Sequence, residues 1–350
     1  MSLFFLFFIL FICAMLALDL GVFHKDDHVV GVREAAVWTV LWITLSLLFA
    51  LLIRFKAEWL HGIGDMEALL AYAAGTDWGS AITPDMSFPD ALALYRREMC
   101  SEFLAGYFIE KSLSIDNIFV MIMIFTSFGI QKSYYHRVLF WGILGAIVLR
   151  FVFIYALGAV IHQFAWILVL FGIILLYSGV KMFVKKDAET VDTDNHPVVR
   201  FAARYFRVAP HGEGHNFFTR IDGKHYITPL FLVLLVIEFS DIIFAVDSIP
   251  AVFSVSTDTM IVYTSNILAI MGLRSMFFLL SDISDRFWLL HYGLGVLLVF
   301  IGAKMILHEV FRLKISTGVS LAVILAILIL SIVFSWFFPA RKQSAGPREA

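Results

Sequence analysis

Charge is what this 350-residue chain has least of: Asp, Glu, Lys and Arg make up 15% of it, against 61% hydrophobic residues. Soluble domains carry roughly 25% charged residues, so this chain cannot cover its surface with polar groups. Cysteine is almost absent. Cys13 and Cys100 cannot build a disulfide framework or a thiolate metal site, so any metal must be held by oxygen or imidazole. The formal net charge of −2 offers no basic face for a polyanion, and nucleic acid is excluded as a partner. What is present is apolar surface, including 36 Phe and 8 Trp, with a mean hydropathy of +0.88. The solvent that accepts such a surface is a lipid bilayer.

Apolar runs of about 20 residues span the hydrocarbon as helices. They fall at roughly 2–21, 33–54, 100–128, 138–160, 164–184, 228–254, 260–281, 287–308 and 317–339. The expected fold is therefore all-α and polytopic, with about nine transmembrane helices. The first run has no basic residue before it and its first Lys, Lys25, follows it, which favours an uncleaved helix. Lys and Arg gather in the loops that place the N-terminus outside and the C-terminus in the cytoplasm, although Arg54, Lys56, Arg96 and Arg97 fall on the other side. The divisions are two N-terminal helices (1–56), an extracytoplasmic loop (57–97) with a short amphipathic helix near 64–74, three helices (98–184), a cytoplasmic loop (185–227), three more helices (228–310), and a ninth helix with a tail (311–350). The 185–227 loop reads as a solvated connector; its His211-Gly-Glu213-Gly-His215 has no fixed geometry for a metal.

The two groups of three helices resemble each other. Residues 110–120 (EKSLSIDNIFV) and 241–251 (DIIFAVDSIPA) both place an acid six positions before an Asp that is followed by Asn or Ser and then Ile. Leu149-Arg150 matches Leu273-Arg274, Trp166 matches Trp288, and Gly179-Val-Lys-Met182 matches Gly302-Ala-Lys-Met305. A unit of three crossings reverses the entry side of its copy, so the expectation is an inverted-topology repeat, the architecture of alternating-access carriers.

Glu110, Asp116, Glu238, Asp241 and Asp247 fall inside predicted spans, where one charge costs at least about 2.5–3.5 kcal/mol. A structural ion-pair network would use Lys111, Arg150 and Arg274 and neutralise three of the five acids. The remaining acids point to an ion site. On an ideal helix Glu110 shares a face with Asn117, and Asp241 with Ser248, whereas Asp116 and Asp247 turn away. Pro250 is expected to open the helix beside Asp247. The candidate ligands are thus Glu110, Asp116, Asn117, Glu238, Asp241, Asp247 and Ser248, an oxygen set suited to a hard divalent cation such as Mn²⁺, Mg²⁺ or Ca²⁺. Converging acids make metal and protons compete, the basis of an antiport. Asp19, Arg150 and Arg274 are candidates for proton coupling or charge compensation. Lys181 and Lys304 are expected to snorkel from span ends.

No enzyme is expected. His61-Gly-Ile-Gly-Asp65 has the Gly-x-Gly-Asp pattern of membrane aspartyl proteases, but it lies outside every predicted span and lacks a Tyr-Asp partner in a helix.

At Glu110-Lys-Ser-Leu-Ser-Ile-Asp116-Asn117, Glu238-Phe-Ser-Asp241 and Phe244-Ala-Val-Asp247-Ser248 the chain resembles the TerC/Alx family of integral membrane proteins. Asp19-Leu-Gly-Val-Phe-His24 and Tyr107-Phe-Ile-Glu110 fit as well, and the plan is similar to that of the LysE-type exporter superfamily. The resemblance implies export of Mn²⁺ across a bacterial inner membrane, with the metal as transported substrate and no tightly bound cofactor. The family's tellurium-resistance name and its links to the assembly or metallation of exported proteins imply the alternatives: a non-transporting membrane factor, or an exporter of another solute. The implied partners are a divalent metal ion, protons and the lipid bilayer; protein partners are left unidentified.

Overall fold

A computed structural model of the chain describes residues 3–23, 31–164, 166–184, 196–209, 216–221, 223–281 and 288–337. Among the described residues the fold is all-α apart from one short hairpin. In order, the helices are α1 (Leu3–Phe23), α2 (Val32–Lys56), α3 (Glu58–His61), α4 (Met66–Ala73), α5 (Phe88–Ser127), α6 (Lys132–Gln163), α7 (Ile167–Val184), α8 (Pro197–Tyr205), α9 (Pro229–Phe253), α10 (Thr259–Met271), α11 (Leu273–Ser281), α12 (Trp288–Phe311) and α13 (Thr317–Phe337). Among the described residues six helices are long and apolar enough to cross a membrane, seven if α10 and α11, bent by 41°, form one span. This is a multi-pass membrane protein. Large apolar side chains such as Leu48 on α2, Ile173 on α7 and Trp336 on α13 remain exposed, as a lipid-facing surface requires.

Helix ends follow local chemistry. The Asp65 carboxylate accepts the amide of Ala68 at 2.8 Å and starts α4. Ser87, followed by Pro89 in the first turn, starts α5. Asp258 accepts the amides of Met260 (2.8 Å) and Ile261 (3.2 Å) and starts α10. The acid of the protease-like pattern is thus a helix cap.

Helix α5, 40 residues long, lies at the centre and packs against α2, α9, α10, α11 and α13. It begins well before the apolar run expected from residue 100, because Asp90, Arg96, Arg97 and Glu98 interrupt the apolar pattern of its first three turns while Ala91, Tyr95 and Met99 on the other face are buried. Every residue of α10 from Ile261 to Met271 is buried. Helices α6 and α9 pack on each other and on this core, and α7 packs along α12.

The α7–α12 seam is made by glycines. A Cβ on Gly302 would lie 2.6 Å from the carbonyl oxygen of Gly172, and one on Gly179 would lie 2.8 Å from that of Gly295. Close backbone approach of this kind drives helix pairing in lipid, where apolar side chains gain little from meeting each other.

Two expectations need correction. Pro250 does not open α9, which continues to Phe253; the proline stands in the last turn, so only the end of the hydrogen-bond ladder loses a donor. The break falls instead at Gly272, between α10 and α11, where Lys111 and Trp42 crowd the backbone so closely that a Cβ would meet the Lys111 amine at 3.0 Å. The 185–227 segment is also more than a connector: it contains α8 and an antiparallel hairpin, β1 (Phe218–Ile221) with β2 (Lys224–Ile227). The His211–His215 stretch lies outside the described residues.

Candidate ion site

Arg150, on α6, is completely buried and organises the core of the bundle. Its Nη1 donates to Glu110 Oε1 of α5, to Ser248 Oγ of α9 at 3.3 Å and to Asn266 Oδ1 of α10 at 3.3 Å. Its Nη2 donates to Asp241 Oδ1 of α9 at 3.1 Å. The Asn266 amide donates to the second oxygen of Glu110 at 2.8 Å. Four helices therefore meet around one guanidinium and two carboxylates, with Glu110 fully buried and Asp241 4% exposed. The fork of the guanidinium suits two carboxylates at once, but one positive charge leaves one negative charge over.

The satisfaction of the cluster is incomplete. Asp241 Oδ2 and Arg150 Nε are buried without a hydrogen-bond partner, as is the amide nitrogen of Asn117, two turns beyond Glu110 along α5. Arg150 and Asp241 line a cavity of about 10 Å³ with Gly142 and Ala146, room for about one water molecule. A buried carboxylate oxygen without a donor is expensive and marks the point where a proton or a cation would gain most.

The other sequence candidates lie apart from this cluster. The Asp116 carboxylate meets His291 Nδ1 of α12 at 3.2 Å, with the two side chains 33% and 40% exposed. Asp247 accepts Ser178 Oγ of α7 at 3.3 Å. Glu238 is packed over Gly145 of α6, where an added Cβ would come within 2.0 Å of its carboxylate. Arg274 meets His136 Nε2 at 3.1 Å. The side chain of Asp19 lies outside the described residues. The seven expected ligands thus do not form one shell, and among the described residues no group of three or more His, Cys, Asp or Glu side chains stands close enough to hold a metal. The inner acids are instead occupied by arginine. Lys111 donates to the carbonyl of Ala269 at 3.2 Å rather than to an acid. Lys304 does not snorkel: it is buried and donates to the Ser254 carbonyl at 3.0 Å.

A second polar assembly lies where α3, α4, the α9–α10 turn and the α12–α13 turn meet. It lines a cavity of about 770 Å³. His61 Nε2 meets Asp258 Oδ2 at 2.8 Å, Tyr72 donates its hydroxyl to the same oxygen, and His61 Nδ1 meets the Tyr95 hydroxyl at 2.8 Å. Burial alone would raise the Asp258 pKa, but the hydrogen bond and charge of His61, the Tyr72 hydroxyl and the Ile261 amide together hold it below the usual carboxylate range. Tyr72 and Tyr95 are pushed well above the ordinary phenol value, chiefly by burial and then by the Asp258 charge. Sequence reasoning missed Asn266 and Ser178 as well as this assembly. An amide in the middle of an apolar run was a signal for Asn266; His61 was marked only as part of the protease-like pattern and nothing local marks Asp258, and the partners of both are distant in the chain.

The fold and the buried ionic core define a polytopic α-helical membrane protein whose charged groups face inward from several helices. The chain belongs to the integral membrane protein TerC family, whose model matches residues 95–343. It is 42% identical to an uncharacterized membrane protein of Myxococcus xanthus over 94% of this chain and 90% of the relative. It is likewise 42% identical to the "putative membrane-bound redox modulator Alx" of Escherichia coli K12, over 96% of this chain and 95% of that one. A third relative, an uncharacterized membrane protein of Rickettsia bellii, is 37% identical over 93% and 94% of the two chains. No solved structure matches.

Proposed function

We propose that this protein is a bacterial inner-membrane carrier that exports a divalent cation, with Mn²⁺ as its substrate, in exchange for protons. The observation that carries the reading is the position of Arg150 between Glu110 and Asp241, the corresponding acids of the two motifs. A guanidinium there is a resident counter-ion. A divalent cation entering between the same carboxylates takes over its role and brings the charge of the two acids to zero. Asp241 Oδ2, which lacks a partner, is the first ligand such a cation would meet. Ser248 and Asn266 contribute neutral oxygens, and the donor set suits a hard cation. Asp116, Asn117, Glu238 and Asp247 serve as approach positions on either side, and Arg274 with Asp19 adjusts charge during the cycle.

The α7–α12 seam supports the inverted repeat. In the matched segments Gly172 corresponds to Gly295 and Gly179 to Gly302. The contacts run crosswise, Gly172 to Gly302 and Gly179 to Gly295, as a pseudo-two-fold axis requires. Nine crossings, with the N-terminus outside and the C-terminus in the cytoplasm, place the 57–87 segment and the turns at 254–258 and 312–316 on one side, and these are the segments that surround the large cavity.

A second reading is supported by two other observations. Several relatives carry the name of a redox modulator, and the inner acids are already neutralised in part by arginine without forming a metal shell. The protein would then be a non-transporting factor acting on exported proteins, with the ionic cluster as a structural network. Its two cysteines are both free, Cys13 exposed and Cys100 half-buried, so a dithiol mechanism has no support. Mn²⁺ flux into proteoliposomes holding a proton-sensitive dye separates the readings. Metal movement opposed by proton movement, lost in Asp116→Asn and Asp247→Asn, is the carrier's result; a folded wild type inert to Mn²⁺, Mg²⁺ and Ca²⁺ across pH is the factor's.

A further inference from the structure

Helix α8 has two unlike faces. At about 100° per residue Val199 and Ala202 share one side, and they pack with Ile227 of β2 and with Leu232 and Leu235 of α9. The His196 ring just before the helix stands 6.1 Å from that of Phe239. The chain after the helix pairs with Ile227, whose amide donates to the Arg207 carbonyl at 2.9 Å. α8 therefore runs antiparallel along the first three turns of α9, where that apolar span begins.

The opposite face of α8 has two flanks. Arg200 and Arg204, four residues apart, form one, and Phe201 and Tyr205, with ring centroids 4.8 Å apart, form the other. The two aromatic residues are 63% and 66% exposed. The pairing at Ile227 sets the hairpin next to the end of α8, which brings exposed Phe218, Arg220 and Lys224. No Asp or Glu occurs among the described residues from 196 to 227; the acids of this loop, Asp187, Glu189, Asp192, Asp194, Glu213 and Asp222, lie outside them. Exposed rings beside arginines need a partner that is apolar and anionic at once. Water suits the arginines alone, and hydrocarbon suits the rings alone. A negatively charged phospholipid surface suits both, since its phosphates take the guanidinium forks and its glycerol level accepts aromatic rings.

We propose that α8 and the β1–β2 hairpin bind the anionic phospholipid of the leaflet that borders them. Arg200, Arg204 and Arg207 hold headgroup phosphates, and Phe201 and Tyr205 seat among the lipids at glycerol depth. In the orientation proposed above this leaflet is the cytoplasmic one, whose surface charge is negative. The buried face of the same helix grips α9, so the lipid anchors the entry of the helix that carries Asp241. The inference holds whether or not the protein carries an ion.

The test places the full-length protein in nanodiscs of phosphatidylcholine, alone or mixed with phosphatidylglycerol, and follows backbone hydrogen exchange by mass spectrometry. Phosphatidylglycerol is expected to slow exchange across 199–206 by about tenfold or more, the scale that two arginines supply at an anionic surface. Helix α4, which has no basic face, should be unaffected. Arg200→Gln with Arg204→Gln should abolish the slowing and keep the wild-type rates in phosphatidylcholine, because both side chains are exposed. Equal rates in the two lipids overturn the proposal, as does a slowing that survives in the double variant. A double variant that exchanges faster in phosphatidylcholine alone makes the arginines a brace for α8, which also overturns it. If inorganic phosphate added to phosphatidylcholine nanodiscs reproduces the slowing, the site takes a free anion and the lipid surface is wrong.

Discussion

The two acids of each motif have opposite fates. Glu110 and Asp241 turn into the bundle, lose contact with solvent and share Arg150. Asp116 and Asp247, six residues further along the same helices, turn away to α12 and α7, where Asp116 keeps a third of its surface exposed beside His291. The 240° that six residues travel around a helix is the whole cause. The lesson is that one sequence pattern, repeated twice, makes an inner pair whose charge must be matched and an outer pair whose charge is tolerated.

The difference can be broken most forcefully at Arg150. Arg150→Leu leaves two acids buried without a counter-ion and should destabilise the protein by about 3–5 kcal/mol, the usual effect of removing one partner of a buried pair. Neutralising the acids in the same chain (Glu110→Gln with Asp241→Asn) should recover most of that loss; thermal unfolding in detergent, read for all three, checks both halves. The frame comes next. Gly302→Val drives a side chain against the Gly172 backbone, which cannot yield as a flexible side chain would, and about 1–3 kcal/mol of overpacking is expected from the same melting assay.

Beside the large cavity, Asp258→Asn keeps the helix cap on Oδ1 but puts an amide NH₂ where Oδ2 accepts from Tyr72 and meets His61, a loss of about 1.5–3 kcal/mol for hydrogen bonding to a charged group. Its pH dependence has a definite sign. Because the folded pKa is held below the unfolded value, the Asp258 charge stabilises the fold at pH above the unfolded value of about 4 and loses that contribution as pH falls further. The gap between wild type and variant should therefore be full at neutral pH and close in acid. The smallest effect belongs to the outer pair: Asp116→Asn, at a half-exposed contact, should change stability by no more than about 1 kcal/mol while abolishing flux.

Much of this arrangement was legible in the residues. The apolar runs located the helices to within a few residues, except that α5 starts at Phe88 and α6 at Lys132, where charged residues interrupt the apolar pattern. Helical phase set Glu110 and Asp241 on different faces from Asp116 and Asp247, and Leu149-Arg150 offered a candidate base for a site carboxylate. Pro250 misled because a proline in the last turn has little helix left to break, whereas Gly272 breaks the next span through contacts from α2 and α5 that no local pattern records. Glu102 and Asp258 were invisible for the same reason. Their meaning depends on partners such as Ser256 and Tyr72, more than 150 residues away in Glu102 and Asp258 respectively.

The central claim, that a divalent cation and Arg150 compete for Glu110 and Asp241, is tested most directly by Mn²⁺ binding to the purified protein, with released protons titrated in the same cell. Asp241→Asn keeps Glu110 paired with Arg150 and so preserves the fold while removing the unpartnered oxygen. The account predicts saturable binding with proton release in the wild type and an affinity at least 100-fold weaker in the variant. Equal Mn²⁺ affinity in the two folded proteins would contradict it.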